Sequence, residues 1–161
     1  MAFRDLLDGV EEVNREISVN HDMLDHSTSI GHKAVMFNQI KGTDGLRSAL
    51  NVLARDRLCS IFDISPGELI DILAWAMDNP EEPIVVDKKN AAVFENTQKE
   101  VDLTAIPIPW HYPEDRGRYQ SASVIIAQYD GIRNMSFHRQ FLRDANHCVS
   151  RFVPRHLRTM T

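Results

Sequence analysis

The chain has 161 residues, of which 43% are hydrophobic and 25% charged, with a net charge of −5. That length suits one domain or two small ones, and the balance is ordinary for a globular protein. The acidic total argues against broad nucleic-acid binding, no run approaches the ~18 apolar residues of a membrane span, and the opening MAFRD lacks a secretory-signal pattern, so the protein is expected in the cytoplasm.

Phe3, Leu6, Leu7 and Val10 recur at helical spacing and predict a helix over 3–12. VNREISV (13–19) alternates as a strand does. HDMLDHSTSIGH (21–32) reads as a polar loop, because the spacings of His21, His26 and His32 miss the i,i+4 step of helical ligation. AVMFNQI (34–40) predicts a strand, stopped by Gly42 and Gly45. LRSALNVL (46–53) is ambiguous and is read as a strand leading into a helix at 54–62.

SPGELIDILAWAMDNP carries the clearest signal. Ser65 is placed as an N-cap, Pro66 at the first helical position and Glu68 for a capping box. Leu69, Ile72, Leu73 and Ala76 form the apolar stripe, and Asn79-Pro80 ends the helix. This helix is expected to be structural.

IVV (84–86) and AAVFEN (91–96) predict short strands. IPIPWHYPEDRGRY follows, with Pro107, Pro109 and Pro113 favouring an extended crossing between two lobes. Trp110 and His111 in this crossing either line a cleft or wedge the lobes apart. Three strands are then predicted, over 118–128, 132–141 and 148–153, with a tight hairpin turn at Asp130-Gly131. RHLRTMT begins what reads as a helix after Pro154 and does not complete it, so the chain is expected to be part of a longer protein. The fold class is α+β: an α/β lobe over 1–104, then a β-rich lobe over 105–161.

Cys59 and Cys148 lie in no CxxC pair, which argues against zinc, and both are expected to be buried thiols. GxGxxG, Walker, GxSxG and HExxH patterns are absent. Arg133, Arg139, Arg143, Arg151, Arg155 and Arg158 make the C-terminal segment basic, which suits one small anionic ligand.

RNMSFHR (133–139) crowds polar groups into a strand pattern. Alternation places Asn134, Ser136 and His138 on one face and Met135, Phe137 and Arg139 on the other. Two readings fit: an edge strand with a snorkelling arginine, or the wall of a site. Asn134 and His156 alone leave most of a hard cation's shell unfilled.

The stretch DLTAIPIPWHYPEDRGRYQSASVIIAQYDGIRNMSFHR, with VSRFVPRHL after it, resembles the UbiD family of decarboxylases, and AVMFNQIKG, LRSALNVLARDRL and SPGELIDILAWAM are similar to that family's N-terminal domain. Within the family the proline-rich crossing is nearest the anhydromevalonate phosphate decarboxylase type. The resemblance implies that 105–161 begins a split β-barrel that binds prenylated FMN, with Mn2+ or Mg2+ and also K+. It places the metal ligands at Asn134 and His156, the active-site arginine at Arg139 and a hydroxyl near the cofactor at Ser121. By the same resemblance, backbone groups near Met135 and Phe137 would lie beside the potassium ion and the flavin.

The implied reaction removes CO2 reversibly from an unsaturated or aromatic acid by covalent catalysis on the cofactor, and a glutamic acid returns the proton. A flavin prenyltransferase would supply the cofactor, and the full-length protein would be a homo-oligomer. Two departures stand out. The family's third metal ligand, a Glu, and the two glutamates that form a Glu-Arg-Glu network with its active-site arginine are expected beyond the end of this chain, and Arg116 and Gln120 replace a glycine and a β-branched residue. The alternative reading is a non-catalytic truncated module, or a subunit that needs a partner chain.

Overall fold

The computed structural model describes residues 3–153. They group into two compact units: one of residues 3–10 and 51–100, the other of 11–50 and 101–153.

The second unit holds two three-stranded sheets. In the first, β1 (Glu11–Ile17) runs parallel to β2 (Val35–Ile40), and β3 (Ser48–Leu50) adds antiparallel to β2. Parallel neighbours need a crossover. Here it is α1 (Asp22–Ser29), in the segment whose sequence predicts a loop. The helix turns only Met23 and Ser27 inward, a stripe too narrow to register as periodicity, and His21 at its N-cap has φ 69° and gives no side-chain cap.

Val13, Ile17, Val19, Met23, Val35, Phe37 and Ile40 pack as the core, with Ile30 and Leu50 against it. Full burial of each such side chain contributes roughly 1.5–3 kcal/mol. The His26 ring meets the Phe37 ring edge-on at 5.7 Å, with Nε2 3.5 Å from Glu11 Oε1.

The second sheet is antiparallel. β4 (Tyr119–Tyr129) and β5 (Ile132–Leu142) form a long hairpin, and β6 (Cys148–Ser150) pairs with the end of β5. The predicted turn is present. Asp130 and Gly131 have φ 48° and 77°, the left-handed pair that a two-residue hairpin turn requires. The crossing is not a free connector. Trp110 N–H donates to Val19 O and His21 N–H donates to Trp110 O, so the crossing pairs with the chain that follows β1.

The first unit opens with a 3-10 turn, Phe3–Leu7, rather than the helix predicted over 3–12. Gly9 at φ 65° ends it before β1 begins. α2 (Arg55–Phe62) and α3 (Pro66–Asp78) follow as predicted, and Arg57 donates to the carbonyls of Leu6 and Asp8. The Ser65–Glu68 capping box is complete: Glu68 N–H donates to Ser65 Oγ and Ser65 N–H donates to a Glu68 carboxylate oxygen. Those hydrogen bonds hold the Glu68 carboxyl below its ordinary pKa. Ser65→Ala is expected to lower stability by about 1 kcal/mol, read by urea unfolding, with Ser65→Asp close to wild type.

Other expectations for this unit fail. Ile72 and Leu73 of the apolar stripe are exposed, and α3 buries no residue fully. The predicted strands at 84–86 and 91–96 do not form. Ile84 and Val85 are 92% and 94% exposed, and Ala92–Phe94 is a 3-10 turn. β-branched runs become strands only where a sheet edge receives them. Cys59 is buried as expected, but Cys148 is exposed on the short strand β6.

Candidate functional site

All the candidate residues in the described part of the chain lie on the β4–β5 hairpin. Ser121 is on β4, and Asn134, Met135, Phe137 and Arg139 are on β5. His156 lies outside the described residues.

The two faces of β5 reverse the usual pattern. Asn134, Ser136 and His138 are half-buried, whereas Met135 and Phe137 are 69% and 77% exposed. On the covered face Ser136 Oγ is 2.8 Å from His138 Nε2, and the His138 ring stands edge-on to Phe152 at 5.0 Å. On the open face Val124 pairs with Phe137 and Ile126 with Met135, and all four are exposed. Arg133 and Arg139 continue this open face at its two ends.

Register sets Arg139 apart. Gln120 pairs with Gln140 and Ser123 with His138, so Ser121 and Ala122 together oppose Arg139 alone. This is a β-bulge, a device that re-aims side chains. Two candidates distant in sequence therefore meet across the hairpin. The Arg139 guanidinium lies 5.5 Å from the Tyr119 ring centroid, and among the described residues it has no carboxylate partner. Asn134 and Arg139 are on opposite faces, about 17 Å apart along the strand.

An open depression of about 440 Å3 adjoins the bulge, lined among others by Ile106, Ile108, His111, Tyr119 and Ser121. His111 thus lines a cleft, one of the two roles its sequence position allowed. Gly117 approaches this end of the hairpin closely. Its φ is 154°, and an added Cβ would lie 3.1 Å from Phe141 Cε2. The Arg116 guanidinium packs 5.3 Å from the Phe141 ring centroid.

Arg118 is the residue that sequence reading passed over. Its Nε–H donates to Ile108 O at 2.8 Å, Nη1 to Thr104 O at 3.0 Å, and Nη2 to Ile106 O. Burial pulls its pKa downward, and the Asp102 carboxylate opposes that shift. Asp102 is itself held below the ordinary carboxylate range, first by the Thr104 hydroxyl, then by the Thr104 amide, with Arg118 adding to this. The available signal was a run of carbonyls whose prolines supply no donors.

The donor set fits a flat apolar ring system bearing an anion. Four exposed apolar side chains form a platform, and guanidiniums at its ends match phosphate or carboxylate oxygens. For a divalent metal, the Asn134 amide offers one hard oxygen ligand. Among the described residues no three His, Cys, Asp or Glu side chains cluster as a metal site, and no helix is long and apolar enough to cross a membrane.

Residues 84–161 match the domain described as the UbiD 3-octaprenyl-4-hydroxybenzoate carboxy-lyase Rift-related domain. Across 96% of its length the chain is similar to anhydromevalonate phosphate decarboxylases, at 27% identity in Methanosarcina mazei and 28% in Archaeoglobus fulgidus. It spans 36% and 35% of those proteins. In fold it is similar to the UbiD-class enzyme HmfF from Pelotomaculum thermopropionicum, solved in complex with prFMN, with a TM-score of 0.86 at 24% identity over 98% of this chain and 39% of that one.

Proposed function

We propose that this chain, which belongs to the UbiD family, forms the cofactor-holding part of a decarboxylase that acts reversibly on an unsaturated or aromatic acid with prenylated FMN and a divalent metal. The observation that carries the proposal is the open β4–β5 face, an apolar platform that ends in Arg139 opposite the Ser121 bulge. The division at residue 104, the split barrel beginning at 105, the cytoplasmic location, the homo-oligomer and the prenyltransferase supplier all belong to this proposal. Its metals are Mn2+ or Mg2+, with K+ beside the backbone near Met135 and Phe137.

Each residue's role follows from its chemistry. Met135 and Phe137, with Val124 and Ile126, exclude water from one side of a planar ring. Asn134 would contribute an amide oxygen to the metal and His156 an imidazole, and a hard divalent cation would need further oxygen ligands beside them. Arg139 presents a planar fork to the substrate carboxylate and holds it in register for bond cleavage. Ser121 offers a hydroxyl at the bulge. When bound, prenylated FMN supplies the electron sink for loss of CO2. The relatives point to anhydromevalonate phosphate as the first substrate to try, and a phosphate-bearing acid suits the arginine-rich end of this chain.

The test supplies the whole decarboxylase, with this chain as its cofactor-holding part, with prenylated FMN and Mn2+ and offers it anhydromevalonate phosphate alongside simple aromatic acids in D2O. CO2 release with deuterium at the former carboxyl carbon is expected for at least one acid. Release of CO2 at the same rate without prenylated FMN would contradict the proposal. So would failure with every acid by a protein shown to hold the cofactor.

A further inference from the structure

We infer that Arg118 is a positioning residue, whose guanidinium holds the proline-rich crossing as one wall of the depression and thereby fixes the start of β4, Ser121 included. In an extended chain, alternate carbonyls point to the same side. Ile106 and Ile108 begin such a row, which Thr104 O joins from the 3-10 turn Leu103–Ala105, and Pro107 and Pro109 have no N–H to give. In a sheet the next strand would satisfy that row. Here one side chain reaches all three, with three nitrogens on three carbonyls, and Ile106 O also accepts from Ile108 N–H. Only a guanidinium has the planar fork for this, since a lysine ammonium is a point donor on a flexible stem.

Arg118 is also tied into the hairpin by its backbone. Its carbonyl accepts from Leu142 N–H, and the next residue, Tyr119, donates its N–H to Pro109 O. The side chain therefore grips the crossing while the main chain is part of the β4–β5 frame. The wall residues Ile106 and Ile108 and the bulge residue Ser121 line the same depression, to which Arg118 itself does not contribute. Its effect on anything bound there passes through the carbonyls it holds. The part of this inference that concerns a flavin rests on the proposed function, and the part that concerns the wall does not.

The experiment compares the full chain with its Arg118→Lys and Arg118→Met variants, all carrying Trp75→Phe. Trp75 is an exposed residue of α3 in the other unit, so its removal leaves Trp110 in the crossing as the sole tryptophan. Three readouts are taken under native conditions: Trp110 emission, amide exchange, and affinity for FMN as the probe. Both variants are expected to show red-shifted Trp110 emission and protection lowered about tenfold or more at the Ile108, Trp110 and Tyr119 amides, with β2 amides unchanged. FMN is expected to bind about tenfold more weakly. Wild-type emission and protection in Arg118→Lys would overturn the inference, because charge alone would then suffice. Equal loss of protection in β2 would also overturn it, as a sign of general destabilisation. If wild type binds no FMN, the proposed function fails while emission and exchange still decide the role of Arg118.

Discussion

Arg139→Ala is expected to lower kcat/KM for decarboxylation about 10^2–10^3-fold in protein loaded with prenylated FMN and metal, with the fold intact. The size follows from what the side chain has to offer. Its guanidinium is exposed, is not tied up by a carboxylate among the described residues, and rests on the Tyr119 ring. Losing an exposed cation–π contact costs about 0.5–1 kcal/mol of stability, so unfolding should shift little. The kinetic loss is therefore separable from a folding defect. Arg139→Lys tests the planar fork, and a single ammonium should recover only a small part of the rate. Wild-type turnover in Arg139→Ala would remove Arg139 from the site.

Phe37→Ala is expected to cost about 3–5 kcal/mol, a large share of the 5–15 kcal/mol available to a typical domain. Phe37 is fully buried on β2, where it packs among the core side chains of both parallel strands and α1, and its ring receives His26 edge-on. Removing it leaves a cavity that a three-stranded sheet with one covering helix cannot close by small shifts. Phe137→Ala is the matched control. That ring is 77% exposed, and its loss should stay within about 0.5 kcal/mol while weakening cofactor binding. Thermal and urea unfolding of the two variants measure the contrast. Equal destabilisation by both would mean that the hairpin's open face is packed rather than free.

The contrast between these two phenylalanines also marks what the sequence made legible. Local signals read correctly wherever the backbone itself demands a residue type. The Ser65-Pro66-Glu68 cap and the Asp130-Gly131 turn are of this kind, and both stand where expected. Signals that depend on a partner element failed. Residues 84–86 and 91–96 have strand composition but no strand beside them, and α3 has an apolar stripe that stays exposed. α1 failed for the opposite reason, since two inward residues sufficed for a short helix supported by the parallel strands on either side.

The site shows the same division. Alternation along RNMSFHR gave the two faces of β5, but not which one is covered. The polar face is the half-buried one and the apolar face is open. The opposition of Arg139 to Ser121 depends on a bulge, which no periodicity in a single strand reveals. Arg118 went unread because its role lies in three backbone carbonyls, and side-chain motifs do not encode those.

The central claim is that the β4–β5 hairpin holds a prenylated flavin against its open apolar face, with a metal whose ligand Asn134 lies on the opposite face of β5. Native mass spectrometry of the chain, co-produced with a flavin prenyltransferase in the presence of Mn2+, tests it most directly. The account predicts one prenylated FMN and one divalent metal per chain in the wild type, with the metal lost in Asn134→Ala. A bare wild-type chain, or the same metal load in Asn134→Ala as in wild type, would contradict it.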